Sequence, residues 1–177
     1  MMAKSAHRMF FALWPEESTR EDLTELIGRL SAKTTGHWSR PNNLHITLAF
    51  LGLVETESLE RLALVANTVK PQSLKLQLDR IEHWPKPKII CLTPTGQQPI
   101  LGQLANELTT LLGSAGFELE KRPFRAHLTL ARKAFEAPAE SLLRRAVHWE
   151  SSGFALVESF PHPEGSIYKP IMSWPVR

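Results

Sequence analysis

The chain has 177 residues, 42% of them hydrophobic and 22% charged, with a net charge of +3. This composition excludes a disordered or low-complexity chain and supplies enough apolar surface for a sizeable core. The slight positive charge is a mild pointer to anionic ligands, and the single cysteine, Cys91, excludes an internal disulfide and suits a cytoplasmic protein.

Lys4 and Arg8 followed by Met9–Trp14 imitate a secretory leader, but the apolar run is short and ends at Pro15-Glu16-Glu17. Neither a leader nor a membrane span is expected. Residues 8–14 (RMFFALW) predict a first strand. A helix follows: Ser18 and Glu21 form a capping-box pattern, and Leu23, Leu26, Ile27 and Leu30 recur at helical spacing. Pro41-Asn42-Asn43 predicts a turn into a strand over 44–51, which Gly52 stops. A second helix over 57–69 carries Leu59, Leu62, Ala63 and Ala66 on one face and ends before Pro71. Residues 73–81 (SLKLQLDRI) alternate and predict one half-buried strand. Residues 88–93 predict another, whose apolar neighbours make Cys91 a buried, inert thiol. Leu101, Leu104, Leu108, Leu111 and Leu112 give a third helix over 99–112. Strands are then expected near 117–120, 126–132, 154–160 and 166–172. Leu142, Leu143, Ala146 and Val147 suggest a short helix in the weakly patterned stretch 134–153. The order predicts an α+β fold, with helices covering one face of mainly antiparallel sheets.

Two segments repeat one pattern. Residues 44–51 read LHITLAFL and residues 126–132 read AHLTLAR. Each carries His-x-Thr inside a β-favouring run: His45 with Thr47, and His127 with Thr129. Residues i and i+2 of a strand share a face. Each run therefore presents an imidazole beside a hydroxyl, while Ile46 and Leu48, or Leu128 and Leu130, face the other way. The motifs lie nearly half the chain apart. Halves that fold alike and pack face to face would bring two histidines and two threonines into one cleft.

Such a cleft suits acid–base chemistry on an anion. Opening a cyclic phosphodiester needs a base for the attacking water and an acid for the departing sugar oxygen. Imidazole serves both, with an ordinary pKa of about 6.5, and predicts a bell-shaped rate profile bracketing that pH. Threonine hydroxyls can donate to phosphoryl oxygens. Arg132, at the end of the His127 strand, adds charge and a fork of N–H groups. Lys121, Arg122, Arg125, Arg132 and Lys133 share the 121–133 stretch with no acid. It forms either a wall for RNA phosphates or a solvated rim. A metal site is the competing reading of paired histidines. The nearest acids, Glu55 and Glu136, lie beyond the strands, and no HxH or HExxH spacing occurs, so no metal and no cofactor is expected. His7, His37, His83, His148 and His162 lack a matching partner and read as surface or structural residues.

The paired motifs resemble those that define the two-histidine (2H) phosphoesterase superfamily. Within it the chain is similar to the bacterial RNA 2′,3′-cyclic phosphodiesterases, also called 2′-5′ RNA ligases. The likeness includes the opening RMFFALW, Trp38, Pro41, residues 43–52 (NLHITLAFLG), residues 122–132 (RPFRAHLTLAR), and a terminal strand pair with Ser159 and Tyr168. It implies one bilobal domain over residues 1–177, pseudo-twofold, with antiparallel sheets facing a central groove and helices outside. It implies metal-independent hydrolysis of a terminal 2′,3′-cyclic phosphate to a 2′-phosphomonoester, on RNA ends or nucleotides, and reversible ATP-independent 2′-5′ ligation. Carried over, His45 is the general acid and His127 the general base, while Thr47, Thr129 and Arg132 hold the phosphate. No membrane or protein partner is implied. Two alternatives stay open: a phosphodiesterase of small cyclic nucleotides, and a non-catalytic nucleotide- or RNA-binding module. Binding alone does not need two intact imidazoles.

Overall fold

Strand β1 (Ala6–Leu13) is apolar on both faces, and this makes it a central strand. In the computed structural model, which describes residues 6–139 and 142–176, Met9, Phe11 and Leu13 enter the main core. Phe10 and Ala12 face the other way and join a smaller cluster with Ala155 and Val157. A central strand must pair along both edges, because buried backbone groups need partners. β3 (Ile46–Glu55) satisfies one edge and β9 (Gly153–Phe160) the other, with β10 (Ile167–Pro175) beyond β9. The sheet order is β10-β9-β1-β3, antiparallel throughout.

The second sheet has the order β2-β7-β6-β5, formed by β2 (His37–Trp38), β7 (Leu128–Arg132), β6 (Ile89–Thr93) and β5 (Arg80–Trp84). It too is antiparallel. β4 (Leu74–Leu78) and β8 (Val147–Ser151) form a separate two-stranded ribbon. The pairing refines the picture of one sheet per chain half. The C-terminal β9 and β10 complete the sheet of β1 and β3, and β2 from the first half pairs with β7. β3 and β7, the strands of the two repeated motifs, touch each other.

Three helices cover these sheets. α1 (Glu17–Ser31) buries Leu23, Leu26 and Leu30 and packs on β8. α3 (Pro99–Ser114) buries Leu101, Leu104, Leu108 and Leu112 and packs on β3 and on α2 (Leu59–Thr68). Truncating a fully buried leucine such as Leu108 to alanine typically costs about 2–5 kcal/mol. The fold is thus α+β, as the sequence predicts.

Several local expectations are corrected. The capping box does not form: α1 starts at Glu17 with Glu16 at its N-cap and no side-chain cap bond, so Ser18 lies inside the first turn. Gly52 does not stop β3. It sits at φ +70 beside a bulge, where the register passes from Met9↔Gly52 to Phe10↔Phe50 and Leu51 is the extra residue. Residues 73–81 are not one strand. The chain leaves β4 at Asp79, whose carboxylate accepts bonds from the N–H (2.7 Å) and hydroxyl (2.6 Å) of Thr95, and starts β5 beside β6. No strand forms over 117–120. The Phe117 N–H instead closes the end of α3 on Leu112 O at 3.1 Å, with Gly116 at φ +84. Val147 opens β8 rather than sitting in a helix. Residues 140–141 of that stretch lie outside the described residues.

Candidate active site

His45 lies just before β3, and Thr47 near its start, on the face that carries Phe10. The imidazole Nδ1 is 2.6 Å from the backbone carbonyl of Asn43. A carbonyl can only accept, so Nδ1 carries the hydrogen and Nε2 is the free lone pair of the neutral ring. The Thr47 hydroxyl donates to Nε2 at 3.1 Å. Aromatic rings enclose the imidazole: Trp14 stacked at 5.8 Å, Phe10 at 4.9 Å and Tyr168 edge-on at 5.2 Å. The Asn43 side chain ties this corner to the β9–β10 turn. Its amide donates to Ser166 O at 2.7 Å, and its oxygen accepts from the Tyr168 N–H at 3.0 Å.

His127 precedes β7 and repeats this anchoring. Its Nδ1 donates to the Arg125 carbonyl, again two residues earlier, at 2.8 Å. The ring of Trp84, at the end of β5, lies 4.7 Å from it. Both imidazoles therefore hold Nε2 as the reactive nitrogen.

Electrostatics pushes both histidines toward the neutral form. Burial is the largest cause and lowers the His45 pKa to about 4. The charges of Arg132 and His127 add to this, while the Asn43 bond opposes it. His127 is lowered by burial and by the charges of Arg132, Arg125 and Arg122, against the bond to the Arg125 carbonyl. Arg132 acts on both rings, so the two motifs converge around one guanidinium.

Of the cations in the 121–133 stretch, Arg122 pairs with Glu120 and Arg125 pairs with Glu82. Arg132 has no carboxylate partner among the described residues. An open groove of 740 Å³ is bordered by His45, Thr47 and Arg132 together with Phe10 and Tyr168. His127 and Thr129 do not border this groove; they approach from the second sheet. Cys91 is fully buried, and burial raises its thiol pKa to about 12, so it stays protonated. Among the described residues no group of three or more His, Cys, Asp or Glu side chains is placed to hold a metal ion.

Sequence reasoning missed Glu82 and Trp84. They lie just past the alternating stretch 73–81 and in no motif, and only the pairing of β5 with β6 and of β6 with β7 carries them to His127. Of the unmatched histidines, His7 bonds Glu158 at 2.5 Å and His83 bonds the Ala134 carbonyl at 3.0 Å, which fits structural roles.

The family model for LigT-like phosphoesterases matches residues 13–91 and again residues 92–168. The chain belongs to that family. Each match contains one His-x-Thr motif, so the family unit occurs twice. A relative named RNA 2′,3′-cyclic phosphodiesterase from Archaeoglobus fulgidus is 32% identical over 92% of this chain and 96% of its own length. One of the same name from Escherichia coli is 33% identical over 73% of this chain and 74% of its own length. Among solved structures, E. coli LigT complexed with 3′-AMP superposes with a TM-score of 0.85 and 28% identity. That match covers 97% of this chain and 99% of the other. No described helix of this LigT-like phosphoesterase is long and apolar enough to cross a membrane.

Proposed function

We propose that this chain is a metal-independent RNA 2′,3′-cyclic phosphodiesterase that leaves a 2′-phosphomonoester, with His45 as general acid and His127 as general base. Membership of the family and the shared name of its relatives support the reaction class. The observation that supports the use of both imidazoles as a pair is their common anchoring, each with Nδ1 tied to backbone and both under the charge of Arg132, while the division into acid and base is carried over from the family resemblance.

The step is a hydrolysis at phosphorus. Nε2 of His127 takes a proton from water as the water oxygen bonds to phosphorus. The bond from phosphorus to the 3′ oxygen breaks, and Nε2–H of His45 protonates the departing oxygen. Arg132, Thr47 and Thr129 donate to the phosphoryl oxygens, which the Arg132 fork can engage in pairs. Neutral His45 must first gain a proton. The bound phosphodiester anion favours that, because an opposite charge stabilises the imidazolium. The Thr47 hydroxyl then turns from Nε2 to the phosphate. With a 5′-hydroxyl in place of water as the nucleophile on a 2′,3′-cyclic end, the same groups would form a 2′-5′ bond without ATP. A nucleoside phosphate in the E. coli LigT complex supports nucleotide ends as ligands. The reduced, buried Cys91 supports a cytoplasmic setting.

Incubation with an oligonucleotide bearing a 2′,3′-cyclic phosphate tests the proposal. NMR of the product should place the phosphate on the 2′ oxygen. A 3′-phosphate product, or none, would overturn it.

A further inference from the structure

The groove beside His45 is longer than one phosphate needs. It continues past Thr47 along the face of the first sheet to Phe50, Leu53 and Arg8. The Arg8 guanidinium lies over the Phe50 ring, 5.1 Å from its centroid. Arg8 is exposed and has no ion-pair partner among the described residues. The groove's own carboxylate, Glu158, is bonded to His7 at 2.5 Å. Arg8 is thus a cation held in the open groove by an aromatic face alone.

Its position follows from the register. Thr47 pairs with Ala12, and Phe50 pairs with Phe10, so Phe50 lies one strand repeat of about 7 Å farther along β1. That step is comparable to the separation of successive phosphates in an extended single strand. A phosphate held by Thr47 and Arg132 therefore leaves Arg8 opposite the next phosphate of the chain. Leu53 is 76% exposed at the same end of the groove, and Phe50 is half-buried, so apolar and aromatic surface is available beside that cation. Cation and aromatic side by side are the elements that track a single-stranded backbone and stack its bases.

We infer that Arg8 and Phe50 form a subsite for the nucleotide upstream of the cyclic phosphate, with Arg8 on its bridging phosphate, and that this subsite selects RNA ends over mononucleotides. The inference rests on the phosphodiesterase reading of the same groove. It adds a substrate preference that the two histidines and Arg132 do not provide, since they address only the terminal phosphate.

The test compares a nucleoside 2′,3′-cyclic phosphate with a dinucleotide of the same base ending in a 2′,3′-cyclic phosphate. The first has no upstream phosphate and the second has one. Wild-type kcat/KM should favour the dinucleotide. Arg8→Gln should lower kcat/KM on the dinucleotide about tenfold, largely through KM, and change it less than twofold on the mononucleotide. The dependence of log kcat/KM on log salt for the dinucleotide should flatten by roughly 0.7, the value for one contact to a single strand. Arg8→Lys should recover part of the loss, and an unchanged Tm would exclude misfolding. Equal losses on both substrates, or none on the dinucleotide, would overturn the subsite while leaving the phosphodiesterase standing. A wild-type protein inert on both substrates would overturn the phosphodiesterase reading and the subsite with it.

Discussion

The indole of Trp84 lies 4.7 Å from the imidazole of His127, tilted by 47°. One carboxylate holds this arrangement. Glu82 accepts the Trp84 indole N–H at 2.6 Å, the Thr93 hydroxyl at 2.8 Å and the Arg125 guanidinium at 2.5 Å. Burial pushes the Glu82 carboxyl up, but the bonds from Trp84 and Thr93 and the Arg125 charge outweigh it and hold it below the usual range. Arg125 also stacks on Trp84 at 4.4 Å, and its backbone carbonyl fixes the His127 tautomer. Glu82 thereby orients both groups that position His127. Glu82→Gln is expected to lower kcat about tenfold, leave KM within twofold, and shift the limb of the pH profile that reports His127. An unchanged kcat and profile would show that His127 is held without it.

Each histidine has its own proton transfer. His45→Ala and His127→Ala should each lose roughly 10²–10⁴-fold in kcat. The double variant should be little worse than the weaker single one, because the two act as a unit. Wild-type turnover in either single variant would remove that residue from the mechanism.

Arg132 borders the groove without a carboxylate partner and acts on both rings. Arg132→Lys keeps the charge but loses the planar fork, so kcat/KM should fall at least several-fold, and Arg132→Ala further. Its removal also lifts a cause of the lowered imidazole pKa values, so the remaining activity should peak at higher pH. Unchanged kcat and KM in Arg132→Ala would make it a rim residue.

The pH dependence departs from the expectation built on unperturbed imidazoles. Both rings are lowered, His45 to about 4, so the limbs of kcat/KM should lie below about 6.5 rather than bracket it. They belong to the coupled pair, not to either residue alone. The bound anion raises them, so the kcat profile should sit at higher pH. A kcat/KM profile centred above pH 7 would contradict the lowering of the two imidazoles.

The same shift makes a stability prediction. The folded value for His45, about 4, lies below the ordinary value of about 6.5. Between those values the unfolded chain binds a proton that the folded chain does not, so stability falls as pH falls through that window. The urea midpoint should be lower at pH 5 than at pH 7. His45→Gln, which does not titrate, should shrink that difference; an undiminished difference would count against it.

Activity should also survive prolonged dialysis against EDTA. Loss on chelation, with recovery on adding zinc or manganese, would require a metal in the mechanism.

The sequence by itself determined the α+β class, the three helices and the two His-x-Thr strands. These are signals of period and local pattern, and they need no knowledge of distant partners. Leucines at helical spacing placed α3, and strict alternation placed β4. Where the signal depended on a partner far along the chain, the sequence was silent. β2 is two residues long and exists because it pairs with β7; β8 exists because β4 needs an edge. Gly52 reads locally as a stop, yet β1 continues to pair beyond it and turns it into part of a bulge. The candidate site divides in the same way. The histidines and threonines were legible because two copies of one motif stand out in a single chain, and Arg132 because it ends the His127 strand in a basic stretch. Glu82 and Trp84 belong to no repeat, and only tertiary pairing carries them to His127. The pKa values were decided there too. Burial among Phe10, Trp14 and Tyr168 comes from strands far apart in the chain, and desolvation is a property of the packed fold that the sequence alone does not display.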